Sequence, residues 1–193
     1  MRIIKKSDYE KSWEYLKEGR FYFLVVALIF LASVWIGYFF PVFFVEFIEK
    51  FIKTLLERTE GMSLFQLFLF IFQNNLSTAF FALLLGLFFG IFPLILTFLN
   101  GYVLGFVSGK VSGVAGFTSL FRLVPHGIFE LPALIISLGL GVRLGMFFLA
   151  KEGERKKYFL YNLENSLRVF VFVILPLLLV AALIEASLIF WLG

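Results

Sequence analysis

The sequence predicts an all-α, polytopic membrane protein with about five transmembrane helices and one amphipathic helix in the outer interface. Three observations carry that reading. Of 193 residues, 61% are hydrophobic and only 16% charged, whereas soluble domains run nearer about 25% charged; mean hydropathy is +0.98. Apolar runs repeatedly reach the roughly 20 residues that a membrane span requires. The 29 phenylalanines exceed what a soluble core of this length can hold, so many must face lipid. The chain reads as one transmembrane domain over residues 1–193.

Residues 1–20 carry six basic and four acidic groups, too long and too acidic for the leading part of a signal peptide. They read as a cytoplasmic N-terminal segment. The first span follows at about 21–40. Residues 41–61 form an amphipathic stretch in which Glu46, Glu49, Lys50, Lys53 and Glu57 recur at helical spacing among Phe44, Phe47, Ile48, Phe51, Ile52 and Leu55. Glu46–Lys50 and Glu49–Lys53 are favourable pairs one turn apart, and the pattern fits a helix lying in the outer interface. Residues 62–72 are too short to span alone, and read as an outer hairpin or an extension of the second span. That span is expected at about 76–99, after the polar break Gln73-Asn74-Asn75. A glycine-rich third span at 101–124 is interrupted by Lys110, so it is either a full crossing or a re-entrant, broken helix. Spans four and five are expected at about 127–149 and 169–192.

Charge placement gives the orientation. Arg2, Lys5, Lys6, Lys11, Lys17 and Arg20 precede span one, and Lys151, Arg155, Lys156 and Lys157 follow span four. Five crossings put both basic stretches on the cytoplasmic side of a cell (plasma or inner) membrane, with the C-terminus outside. The net charge of +4 is spread over these loops and gives no basic patch for nucleic acid. Cysteine is absent, which excludes disulfides, thiolate catalysis and Cys-ligated metal. No phosphate loop, nucleotide fingerprint or activated serine is present, Ser119 and Ser137 included, so no catalytic residue is assigned.

Gly101, Gly105, Gly109 and Gly113 repeat every four residues, and Gly86/Gly90 and Gly141/Gly145 share the spacing. Such a face lets a neighbouring helix approach closely, either within the chain or in a homo-oligomer. Alternatively, Asn100-Gly101 and Ser108-Gly109-Lys110 mark unwound backbone of the kind that discontinuous transporter helices turn toward a substrate. Pro93, Pro132 and Pro176 each remove a helical hydrogen bond. Arg143 lies near the end of span four and can snorkel to the interface.

The polar residues of the apolar segments are the candidate site. A charged group at the bilayer centre costs about 2.5–3.5 kcal/mol on insertion scales, so such groups need a partner or a cavity. The single histidine, His126, lies four residues before Glu130 and shares its helical face. Glu185 reaches a comparable depth from span five, and Arg122 and Asn75 are expected at the same outer level. Lys110, expected near mid-membrane, and Asn100 complete the set. His126, Glu130 and Glu185 can form a structural polar network, ligate a divalent metal such as zinc, or pass protons or ions.

Several of these motifs together resemble the stage II sporulation protein M family: Asn74-Asn75, the Gly86/Gly90 pair, Asn100-Gly101-x-x-x-Gly105, Pro125-His126-Gly127-x-x-Glu130-Leu131-Pro132 and Ile184-Glu185-Ala186. The similarity covers roughly residues 70–192. The resemblance implies a multi-span inner-membrane protein that serves as a scaffold or anchor for cell-envelope, peptidoglycan-remodelling partners. The residues themselves leave a second class open, a transporter, channel or metal-dependent intramembrane enzyme built on the His126, Glu130 and Glu185 site.

Overall fold

The computed structural model describes residues 6–116, 118 and 124–192, and these are almost wholly helical. Eight α-helices follow in order: α1 (Lys6–Glu18), α2 (Arg20–Phe39), α3 (Val45–Thr59), α4 (Leu64–Leu84), α5 (Ile91–Ala115), α6 (Val124–Gly145), α7 (Arg155–Val169) and α8 (Leu175–Leu192). Five helical segments are long and apolar enough to cross a membrane. They contain α2, α4, α5, α6 and α8, and α3 is the amphipathic helix between the first two. A π-helical segment, Phe170–Ile174, joins α7 to α8. The whole run Glu152–Trp191 has 40 residues. At 1.5 Å per residue it is about 60 Å long, twice the roughly 30 Å hydrocarbon layer. Its polar first half, α7, therefore stands outside the membrane.

The second and third spans begin and end about ten residues earlier than the sequence reading has them. Helix α4 is capped by Ser63, whose hydroxyl accepts from the Gln66 N–H while the Gln66 side chain accepts from the Ser63 N–H. This reciprocal cap satisfies two of the donors a helix start leaves open. Residues 64–72 are thus the first half of a span. The turn between spans lies at Leu85–Gly90, where Phe89 and Gly90 take φ of 58° and 71°, a left-handed conformation that ends the helix. Asn100-Gly101, a turn dipeptide by composition, sits inside α5, where the Asn100 amide donates to the Leu96 carbonyl at 2.8 Å. Helix α5 is continuous from Ile91 to Ala115, so Ser108-Gly109-Lys110 is neither unwound nor re-entrant.

Two close seams hold the bundle. Along the first, α2 packs on α5: a Cβ added at Gly101 would overlap the Ser33 hydroxyl, one at Gly105 the Val34 carbonyl, and one at Gly37 the Tyr102 carbonyl. Gly109 lies looser, 3.0 Å from the Tyr38 carbonyl by the same measure, and Gly113 meets nothing within 4 Å. The face that would suit a second copy of the chain is therefore occupied, at Gly101 and Gly105, by α2. Along the second seam the Leu85–Gly90 turn lies on the end of α6, Gly86 against Gly141 and Gly90 against Gly145. Only residues without a Cβ allow backbones this near. Every residue from Ser137 to Gly145 is buried, so α6 is the hub at this end. Ser137 donates across the interface to the Ala79 carbonyl of α4.

Candidate functional site

Helix α6 carries Arg143 in its last turn, and the best-defined polar constellation is built around it. Its position in the last helical turn favours a cation there. The side chain is buried: Nη1 donates to the Tyr15 carbonyl at 2.7 Å and Nη2 to Glu18 Oε2 at 3.0 Å. The guanidinium carbon stands 3.7 Å from the centre of the Tyr15 ring, within cation–π range. One residue thus fastens the C-terminal turn of α1 to the end of the bundle.

Tyr15 carries the network on to α7. Its hydroxyl donates to Asn162 Oδ1 at 2.7 Å and lies 3.4 Å from Ser166 Oγ. Burial is the main cause that pushes the Tyr15 phenol up to about 12, opposed by the Ser166 bond and the Arg143 charge. The phenol is therefore a neutral donor at physiological pH. Farther along α7, Arg168 donates to Asn165 Oδ1 and to Glu164 Oε1, both at 2.7 Å, and its Nε lies 3.8 Å from Asp8 of α1. A recess of about 280 Å³ opens between the two helices, lined by Lys11, Glu14, Glu18, Tyr161, Glu164 and Arg168 among others. Together α1 and α7 form a polar foot beneath the bundle.

The polar residues singled out in the sequence lie on other elements, and the expected convergence of His126, Glu130, Glu185 and Arg122 falls partly outside the described residues. Arg122 and the side chain of His126 lie outside the described residues. Glu130 is half-buried in the second turn of α6, and Glu185 is half-buried in α8. Among the described residues no three carboxylate or imidazole groups are placed to hold a metal ion; the zinc set itself includes His126. Asn75 is in the middle of α4 and not at the outer level, because that span starts at Leu64; its Oδ1 accepts from Asn74 at 3.3 Å. Asn100 bonds within its own helix.

Lys110 is not near mid-membrane. With α5 running to Ala115 it lies in the last turns, where Nζ meets Glu49 Oε1 of α3 at 3.0 Å. Glu49 accordingly pairs across helices with Lys110 and not with Lys53, which instead lies 3.9 Å from Glu57.

Sequence reasoning passed over the foot. Arg143 read as a snorkelling residue, and its buried bonds to α1 were not visible. A usable signal existed on α7, where Asn162, Asn165 and Ser166 recur at i, i+3 and i+4, a polar face too regular for loop chance. Tyr15 and Ser12 supply a matching face on α1, and both are buried.

The sequence model of the stage II sporulation protein M family matches residues 26–188, from within α2 to within α8. No curated protein and no solved structure matches the chain. The match takes in α4, α5, α6 and α7 whole and most of α2 and α8, with the turn at Leu85–Gly90 and Arg143, and the chain belongs to the stage II sporulation protein M family.

Proposed function

We propose that this protein is a membrane scaffold, anchoring cell-envelope, peptidoglycan-remodelling partners in the cell membrane with its foot on the cytoplasmic side. The observation that carries the reading is the pair of glycine seams. Packing of α2 on α5, and of the Leu85–Gly90 turn on α6, brings backbones into direct contact at Gly37, Gly105, Gly86, Gly141 and Gly145, which supports one closely packed arrangement. A bundle closed in this way holds its extramembrane elements at fixed positions, as an anchor requires. The contact of α1 with α7 keeps the basic stretches around Lys11–Arg20 and Lys151–Lys157 at one end, which fits cytoplasmic placement of that end.

The test is turnover of a labelled cell-wall polymer in the native host. Loss of the gene is expected to change the rate or pattern of turnover, with restoration by the wild-type chain and not by Gly105→Leu. Unchanged turnover in the deletion strain would overturn the scaffold reading, and ion or solute flux through proteoliposomes of the purified chain would replace it with transport. In the same strains, a cysteine at Lys156 should resist an impermeant external thiol reagent while one at Lys53 reacts; the reverse pattern would invert the orientation.

A further inference from the structure

Helix α7, the π-helical segment and α8 form one continuous helical run, and its buried stripe changes phase along the way. At 3.6 residues per turn, 18 residues make about five α-helical turns, so residues that far apart on an unbroken α-helix stand on one line. Here such residues disagree. Asn162 is buried and Val180 exposed, Asn165 is buried and Leu183 exposed, and Leu160 is exposed while Leu178 is buried. A step one residue longer brings like to like: Asn162 and Ala181 are both buried, Tyr161 and Val180 both exposed, Glu164 and Leu183 both exposed.

The extra residue is taken up between Phe170 and Leu175, where the Leu175 N–H donates to the Phe170 carbonyl, five residues back instead of four. One residue is worth about 100° of rotation. Phe170 and Ile174, at the two ends of the segment, are buried in the same core as Tyr15 of α1, Leu140 of α6 and Leu178 of α8. Val171, between them, is exposed. Pro176 lies two residues beyond the segment and brings no N–H, so it cannot make the α-helical bond to the Phe172 carbonyl. The polar face of α7 and the apolar face of α8 are thereby turned to one side.

We infer that the π-helical segment corrects the phase of this helix: it holds one residue more than an α-helix needs there, and so keeps the foot and the bundle in register on a single rod. The inference is independent of the scaffold reading, since it concerns only how α7 is aimed. Removing one residue inside the segment should leave an α-helix with both contacts made. Adding one should turn α7 a further 100° or so away from Tyr15.

Single-residue deletions and an insertion in the full chain, in detergent, test this. Thermal melting reads the bundle, and trypsin cleavage at Lys11 and Lys17 reads the foot. Deletion of Val171 should leave both at wild-type levels. Insertion of an alanine after Val171 should speed the cleavage, because Asn162 no longer meets Tyr15. Deletion of the exposed Val180 should lower the melting temperature, because it turns Ala182 and Ala186 away from Leu67 and Ile71 of α4 on the far side of the π-helical segment. A Val171 deletion that fails to fold, melts early or frees α1 would overturn the inference. So would a Val180 deletion as harmless as that of Val171, or an alanine insertion that leaves α1 protected, since the residue count would then not set the aim of α7.

Discussion

Two ion pairs tie extramembrane helices to the bundle, one at each end, and they have the same length. Arg143 meets Glu18, and Lys110 meets Glu49, each at 3.0 Å. Their surroundings differ. The Arg143 side chain is 9% exposed and that of Lys110 is 55% exposed. Arg143 also donates to a backbone carbonyl and covers the face of an aromatic ring, whereas Lys110 makes a single bond and lies a loose 5.6 Å over Phe106. Distance alone therefore says little about what a pair holds in place. Burial decides, because a buried donor cannot exchange its partner for water.

Removing the inner latch should give the largest effect. Arg143→Leu is expected to destabilise the protein by about 2 kcal/mol, from the lost charged hydrogen bond and cation–π contact. Glu18 is half-exposed and adds little, since water solvates it when the arginine is gone. Limited trypsin digestion should then cut α1 at Lys11 or Lys17 much faster than in wild type. Unchanged cleavage would mean that α1 is held by the α7 contacts alone.

An intermediate effect is expected from alkali. The Tyr15 phenol titrates at about 12 in the folded chain against 10.0 when free. Between those values the unfolded chain has lost the proton that the folded chain keeps, so stability falls as pH rises. Below pH 10 the contribution is fully present. The melting temperature of wild type should drop more steeply than that of Tyr15→Phe across this window, and parallel curves would show that the Tyr15 hydroxyl is not in the buried latch. Smallest of all should be Lys110→Gln, about 0.5 kcal/mol or less by thermal melting, because the pair it breaks is exposed. A loss equal to that of Arg143→Leu would erase the distinction between the two ends.

The arginine at one end and the lysine at the other also mark where the sequence stops being informative. Arg143 looked ordinary, since an arginine six residues before the end of an apolar run can snorkel without any specific partner. Its actual partners are 125 and 128 residues away in sequence, and no local pattern encodes such a contact. Lys110 is exceptional only if the third span runs to residue 124. Once the turn moves back to Leu85–Gly90, the same lysine falls near a helix end and finds Glu49. The misplacement has a specific cause: Asn100-Gly101 has turn chemistry, while Gly86 and Gly90 follow the same four-residue spacing as packing glycines. The left-handed turn at Phe89 and Gly90 exists because α6 offers Gly141 and Gly145 to receive it.

By itself the sequence determined an all-helical protein with five membrane crossings, an amphipathic helix after the first, and membership of a multi-span membrane family. Those properties follow from composition, the length of apolar runs and short motifs, all of which are local. The tertiary structure alone decided where the second and third spans divide, which glycines meet a neighbour, and that Arg143 and Tyr15 join α1 and α7 into a foot. Each of these depends on which helix faces come together, and a glycine stripe or a buried cation states a need for a close partner without naming it.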